Sequence, residues 1–178
     1  MTWRLNIPVR EKELQMSYPD PRYLGEKGEI SAKFRPADIE PDLAITGSEA
    51  IRYLATGKST NRQFGLYRVE IIPHSFGAKP HFHRTMSESF FILSGTLRLF
   101  NGERWIDATA GDFLYVPEGG VHGFQNESDE LVSMLLLFVP GGPREPYFEA
   151  IADIAAGRRQ FSEEEWADFC RRHDNYFV

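Results

Sequence analysis

Short apolar runs broken by turn residues fill the middle of this chain, and an apolar period of three and four residues takes over after residue 143. From Ile51 onward the runs have strand length. Phe64–Ile72 alternates apolar and polar residues for part of its length and ends at Pro73, as a half-buried strand does. Phe90–Leu93 is apolar throughout, which predicts a strand buried on both faces. Thr96–Phe100 and Glu103–Asp107 flank Asn101-Gly102, read as a type I′ hairpin with both central residues at positive φ. Asp112–Val116 predicts a brief buried strand closed by Pro117, and Leu131–Val139 predicts the last long one. These runs add up to about seven or eight strands, the number a jelly roll uses. An all-β sandwich or barrel follows.

The flanks differ in texture. Up to about residue 45, prolines (Pro8, Pro19, Pro21, Pro36, Pro41) mix with charges and neither period persists, so an arm that wraps the domain is expected, able to cover a sheet edge either of its own subunit or of a partner. After Pro140-Gly-Gly-Pro143, Tyr147, Phe148, Ile151, Ile154 and Ala155 recur at helical spacing, with Gly157 where a C-cap belongs. Ser162-Glu-Glu-Glu165 reads as a capping box opening a second helix. Its stripe of Trp166, Phe169, Cys170 and His173 is expected to pack on the outer face of the barrel. The expected organisation is an arm over 1–47, a barrel over 48–140 and a helical extension over 141–178.

Composition narrows the functional classes. A chain of 178 residues makes one domain able to bury most of its surface. Fourteen phenylalanines point to a core or pocket lined by rings. The net charge of -6, with Lys and Arg scattered, argues against a nucleic-acid partner. The single Cys170 excludes an intramolecular disulfide and reads as a packed thiol in a reducing compartment. The first residues lack a signal-peptide apolar stretch, and the longest apolar run, Met134–Val139, is too short to span a bilayer. A soluble, cytoplasmic protein without membrane contact is expected.

The chemistry lies in two clusters, Gly77-x3-His81-x-His83-x4-Glu88-x6-Gly95 and Gly111-x5-Pro117-x-Gly119-x2-His122-x3-Asn126. Residues two apart on a strand share a face and rise by roughly 6.6 Å. His81 and His83 can therefore offer both imidazoles to one ion, and His122 must come from a neighbouring strand. Pro117 ends one strand, and Gly119 and Gly120 let the backbone turn sharply before His122. His74 and His173 are read as a surface or hydrogen-bonded histidine and a helix-stripe histidine, not ligands.

Both clusters resemble the cupin signature, and the resemblance implies a double-stranded β-helix, the jelly-roll barrel. The second matches at every position. In the first, His81, His83, Glu88 and Gly95 match, while Gly77 sits closer to the first histidine than the usual pattern has it, a departure that touches only the entry turn. The resemblance implies that His81, His83, Glu88 and His122 bind one divalent transition metal inside the barrel. Three neutral imidazoles and one carboxylate would leave such an ion a charge of about +1, with two open positions if it is octahedral. Iron, manganese, cobalt, nickel, copper and zinc all suit the set; magnesium and calcium do not. Glu88 is either the general base of a reaction at the metal or a plain ligand.

Phe90 and Ile92 share the strand parity of Glu88, and Phe124 shares that of His122, so all three should face the interior. They either line a substrate pocket or only fill the core. No Lys or Arg falls on an inward position near the motifs, and a phosphorylated or multiply anionic substrate is not expected. The stretch from Gly57 to Phe91, the Val139-Pro-Gly-Gly142 exit and the C-terminal Tyr176-Phe177-Val178 are similar to single-domain cupins grouped with quercetin 2,3-dioxygenase. That resemblance implies a metal-dependent dioxygenase acting with dioxygen on a small aromatic or enolisable substrate; a homodimer is expected besides. The same ligand set also serves non-oxidative cyclases and isomerases, and cupins that bind a small molecule without catalysis.

Overall fold

The structure, a computed structural model, describes residues 18–178. The chain divides between Phe34 and Arg35 into two units, and residues 1–17 of the expected arm lie outside the described residues. Of the first, residues 18–34 form neither helix nor strand and are exposed.

The second unit carries, in chain order, β1 (Leu43–Ile45), β2 (Glu49–Ala55), β3 (Gly65–Ile71), β4 (His81–Phe82), β5 (Ser87–Ser94), β6 (Leu97–Phe100), β7 (Trp105–Ala108), β8 (Phe113–Val116), β9 (Gly123–Gln125), β10 (Val132–Val139), α1 (Glu145–Ala155), α2 (Glu163–Arg172) and β11 (Tyr176–Phe177). Six strands form one antiparallel sheet in the order β1-β2-β3-β10-β5-β8, and three form a second, β7-β6-β9. One core joins the two sheets: Tyr67, Phe90, Ile92, Met134 and Phe138 from the large sheet pack with Leu97, Leu99 and Phe124 from the small one. This is the expected jelly roll. Each of these side chains contributes about 1.5–3 kcal/mol by leaving water.

Strand β3 shows the sequence pattern most directly, since every second residue from Gly65 to Ile71 is buried. Three expectations are corrected. Phe90 and Ile92 are fully buried, but Phe91 between them is 40% exposed, so Phe90–Leu93 is buried on one face only. In β8, Phe113 is 62% exposed for the same reason: it pairs with Phe91 on the outward side of an edge strand. The Asn101-Gly102 turn is not type I′. Phe100 pairs with Trp105, which leaves four residues in the loop, and only Gly102 has a positive φ. The Oδ1 atom of Asn101 accepts from the Glu103 and Arg104 amides, so its side chain closes the turn locally.

β1 lies within the residues expected to form the arm, and it pairs with β2 as the edge of the large sheet. The two helices follow as expected. Ser162 and Glu165 form the reciprocal capping box of α2, and Gly157 sits past α1 at φ 70°. The stripe of α2 does not lie on the barrel's outer face. Phe169 stacks on Tyr147 of α1 at 5.7 Å, and Trp166 and Cys170 line the cavity that His81 and Glu88 also line. α1 is pinned to the barrel by Tyr67, whose hydroxyl donates to Oε1 of Glu145 at 2.6 Å. The helical extension is therefore one wall of the interior.

Candidate metal centre

His81 and His122 face each other across an antiparallel bridge in which each amide donates to the other's carbonyl at 2.9 Å. This pairing joins the two sequence clusters. His83 lies just past the end of β4, and the Gly119 amide donates to its carbonyl at 2.7 Å. Gly119 has φ 82°, in the region that favours glycine. The turn Pro117-Glu-Gly-Gly thus positions two ligands, His122 that follows it and His83 that it holds. Glu88 sits near the start of β5 between Phe138 and Val116.

These elements bring one donor atom each from His81, His83, Glu88 and His122 within 4.8 Å of one another, and all four residues are buried. The Nδ1 atoms of all three histidines lie against main-chain carbonyls: Lys79 for His81 at 2.8 Å, Asp174 for His83 at 2.6 Å, and Gly120 for His122 at 3.0 Å. A carbonyl only accepts, so each Nδ1 carries the proton and each neutral ring turns its Nε2 lone pair inward. The Nε2 atoms of His83 and His122 then approach Oε2 of Glu88 at 2.9 and 2.8 Å. Lone pairs and a carboxylate oxygen do not meet at that distance without a positive charge among them. A proton or a metal cation must supply it, and the donor set suits a divalent transition metal.

The titration behaviour carries the same message. Burial alone would raise the Glu88 carboxyl, but His122 and His83 hold it well below the usual carboxylate range. For His122, burial disfavours the charged ring, and Glu88 overrides it to raise the pKa. His81 is pushed down to about 4 by burial and by the charge at His122, partly offset by Glu88. One imidazole stays neutral and available under ordinary conditions.

A cavity of about 720 Å³ opens from His81 and Glu88. Leu136, Phe138 and Phe124 line it from the barrel, and Phe148 and Trp166 from the helices. Of the three side chains expected to face a pocket, Phe124 does line it. Phe90 and Ile92 point inward and are fully buried, but neither is among its lining residues. The ring of Phe90 instead packs on His122 at 5.8 Å and Phe124 at 5.9 Å, supporting the site from behind. His74 contacts exposed Asp129 at 2.9 Å and takes no part. His173 caps α2 between Phe169 and Tyr147. Burial raises the Cys170 thiol to about 11, which makes it a poor nucleophile. Asn126 is buried and clamps the loops: its amide donates to the carbonyls of Ile71, Ile72 and Glu130.

Sequence reasoning missed Arg144, Glu49 and Asp174. Arg144 and Glu49 line the cavity, and Asp174 holds His83 and, through its carboxylate, the Arg84 and Thr85 amides. For Arg144 there was a signal. It stands at the N-cap of α1, where a cation opposes the helix dipole and cannot cap.

An antiparallel jelly roll with an inward three-histidine, one-glutamate cluster defines a class of barrel, and the comparisons name it. Residues 67–139 match the cupin domain family Cupin_2. Residues 67–139 are thus similar to a cupin domain, and the barrel has the cupin jelly-roll fold. It is 32% identical over 123 residues to quercetin 2,3-dioxygenase of Bacillus subtilis (strain 168), a match covering 66% of this chain and 34% of that one. The chain thus spans about a third of that relative's length. A predicted oxalate decarboxylase from Thermotoga maritima superposes with a TM-score of 0.55 at 18% identity, over 61% of this chain and 99% of the other. The polyketide cyclase RemF from Streptomyces resistomycificus gives 0.51 at 20% identity, over 61% and 78%. These two likenesses speak for the fold. Among the described residues, no helix is long and apolar enough to cross a membrane.

Proposed function

We propose that the protein is a metal-dependent dioxygenase acting on a small aromatic or enolisable organic substrate. The observation that carries this reading is the placement of the four-donor cluster at the wall of a largely apolar cavity, with His81 and Glu88 facing that space. The similarity to quercetin 2,3-dioxygenase supports the oxidative branch. A divalent ion held by His81, His83, Glu88 and His122 would acidify an enol or hydroxyl brought to it and supply the redox or Lewis-acid chemistry.

The chain's own residues do the rest. Oε2 of Glu88 takes both histidine contacts, no hydrogen bond to Oε1 is found among the described residues, and Glu88 lines the cavity. Oε1 is the atom placed to receive the substrate's proton. Phe124, Leu136 and Phe138 exclude water and orient a flat ring against the centre.

Oxygen uptake tests the reading. Protein loaded in turn with iron, manganese, nickel, cobalt, copper or zinc is offered quercetin and phenylpyruvate in an oxygen-electrode cell. Metal-dependent consumption of dioxygen with one of them is expected. Turnover that proceeds equally under argon would replace the dioxygenase with a non-oxidative cyclase or isomerase. Binding of both without conversion would leave a small-molecule binding protein.

A further inference from the structure

We infer that the cavity is built for an organic substrate carrying one anionic group, a carboxylate by chemistry, which Arg144 receives while the rest of the molecule reaches the metal centre. This rests on the metal-centre reading and adds the substrate's charge to it.

Arg144 is only 5% exposed and lines the same cavity as His81 and Glu88. Its charge has no ion-pair partner: among the described residues no carboxylate oxygen lies within 4.0 Å of it. Its nearest neighbours are neutral. Nη1 donates to the His173 carbonyl at 2.8 Å, the Asn175 side chain stands off at 3.5 Å, and Nε has no partner. Aromatic rings surround the guanidinium, with Phe138 at 4.9 Å, Tyr147 at 4.6 Å and Phe148 at 5.6 Å. Buried cations are ordinarily paired, because desolvation costs several kcal/mol that neutral contacts offset only in part.

A further feature makes the site electropositive: Arg144 occupies the N-cap of α1, where the helix dipole already favours an anion. The carboxylates nearby do not cancel this. Glu145 is engaged by the Tyr67 hydroxyl, Glu88 by two histidines, and Glu49 shares the cavity but forms no ion pair with Arg144. Phe138 stands between the two poles: its ring centroid lies 6.3 Å from that of His83 and 4.9 Å from the guanidinium carbon. A molecule with a flat apolar body along Phe138, an anionic oxygen pair at Arg144 and an enol or hydroxyl at the metal fits both ends. Guanidinium and carboxylate match in a planar fork.

The test measures binding of cinnamate and of its neutral isostere cinnamamide to the metal-loaded protein and to chelator-stripped protein, by calorimetry, in wild type and Arg144→Gln. Cinnamate is expected to bind wild type at least tenfold more tightly than the amide, in both metal states, and Arg144→Gln should erase that preference while retaining its metal content. Arg144→Lys, which keeps the charge, should keep part of it. Equal affinity for acid and amide in wild type would overturn the inference without needing any variant, and so would a preference that survives Arg144→Gln. A preference seen only with metal present would assign the carboxylate to the ion rather than to Arg144. Failure of the metal-centre reading looks different: no metal would be retained, yet the acid would still be preferred in the stripped protein.

Discussion

Nδ1 of His83 donates a hydrogen bond of 2.6 Å to the main-chain oxygen of Asp174, a residue ninety-one positions further along the chain. A ligand from the barrel is thus oriented by the segment that follows the last helix. The Asp174 carboxylate fixes the same loop from the other side, accepting from the amides of Arg84 at 3.0 Å and Thr85 at 2.8 Å and from the Thr85 hydroxyl at 2.7 Å. Strand β11 completes the attachment by pairing with β4, Tyr176 against Phe82 and Phe177 against His81. The C-terminal extension belongs to the candidate metal centre as much as to the fold.

Asp174→Ala should therefore weaken two properties together. Loss of the carboxylate removes its hydrogen bonds to an exposed loop, at a cost of about 0.5–1.5 kcal/mol in stability. Loosening His83 should lower metal affinity roughly tenfold or more. Thermal melting and metal titration by competition with a chromogenic chelator read the two effects, and unchanged affinity would show that the segment does not orient the ligand.

Gly77 is a packing position. A Cβ built there would lie 2.3 Å from the Phe124 ring and 2.5 Å from the Phe124 carbonyl oxygen. Gly77→Ala must push Phe124 away from its place on the cavity wall, and a loss of roughly 1–3 kcal/mol is expected. Gly77→Ala combined with Phe124→Leu should recover part of it in denaturant unfolding. No loss in the single variant would mean that the wall yields.

Glu49 gives a pH dependence of stability. Burial raises its pKa from 4.5 to about 7, although one side of the residue faces the cavity and is partly accessible. The fold thus prefers the protonated form. That contribution is complete below about pH 4.5 and is lost as the pH rises through 7. Relative to Glu49→Gln, wild type should lose stability between those values, by at most about 3 kcal/mol and by less where cavity water screens the charge. Parallel curves for the two proteins from pH 4.5 to 8 would contradict the assignment.

The barrel was legible because its signals are local. Alternation in β3 and the apolar run of β10 are read directly from neighbouring residues, and the capping box at Ser162 specifies its own helix. The ligand set was legible for a related reason: His81-x-His83 and the Pro-x-Gly-Gly-x-His122 turn each encode their own geometry. Outward faces were not. Phe91 and Phe113 are apolar yet exposed, and composition cannot tell a doubly buried strand from one with an apolar outer face. Contacts that depend on chain return were also out of reach. Nothing near Arg144 or Asp174 in sequence announces that α1 and β11 close over the barrel's interior, because loops of that length leave the return path open.

The account stands on the four side chains acting as one metal centre, and elemental analysis tests that directly. Wild type and His122→Ala are purified in parallel, loaded with a divalent transition metal, desalted and measured by inductively coupled plasma mass spectrometry alongside circular dichroism. About one metal per chain is expected in wild type, with a near-empty site in His122→Ala and the same β-sheet spectrum in both. Wild type that retains no metal after loading with any ion of the series, or a His122→Ala variant that retains as much as wild type, would contradict it.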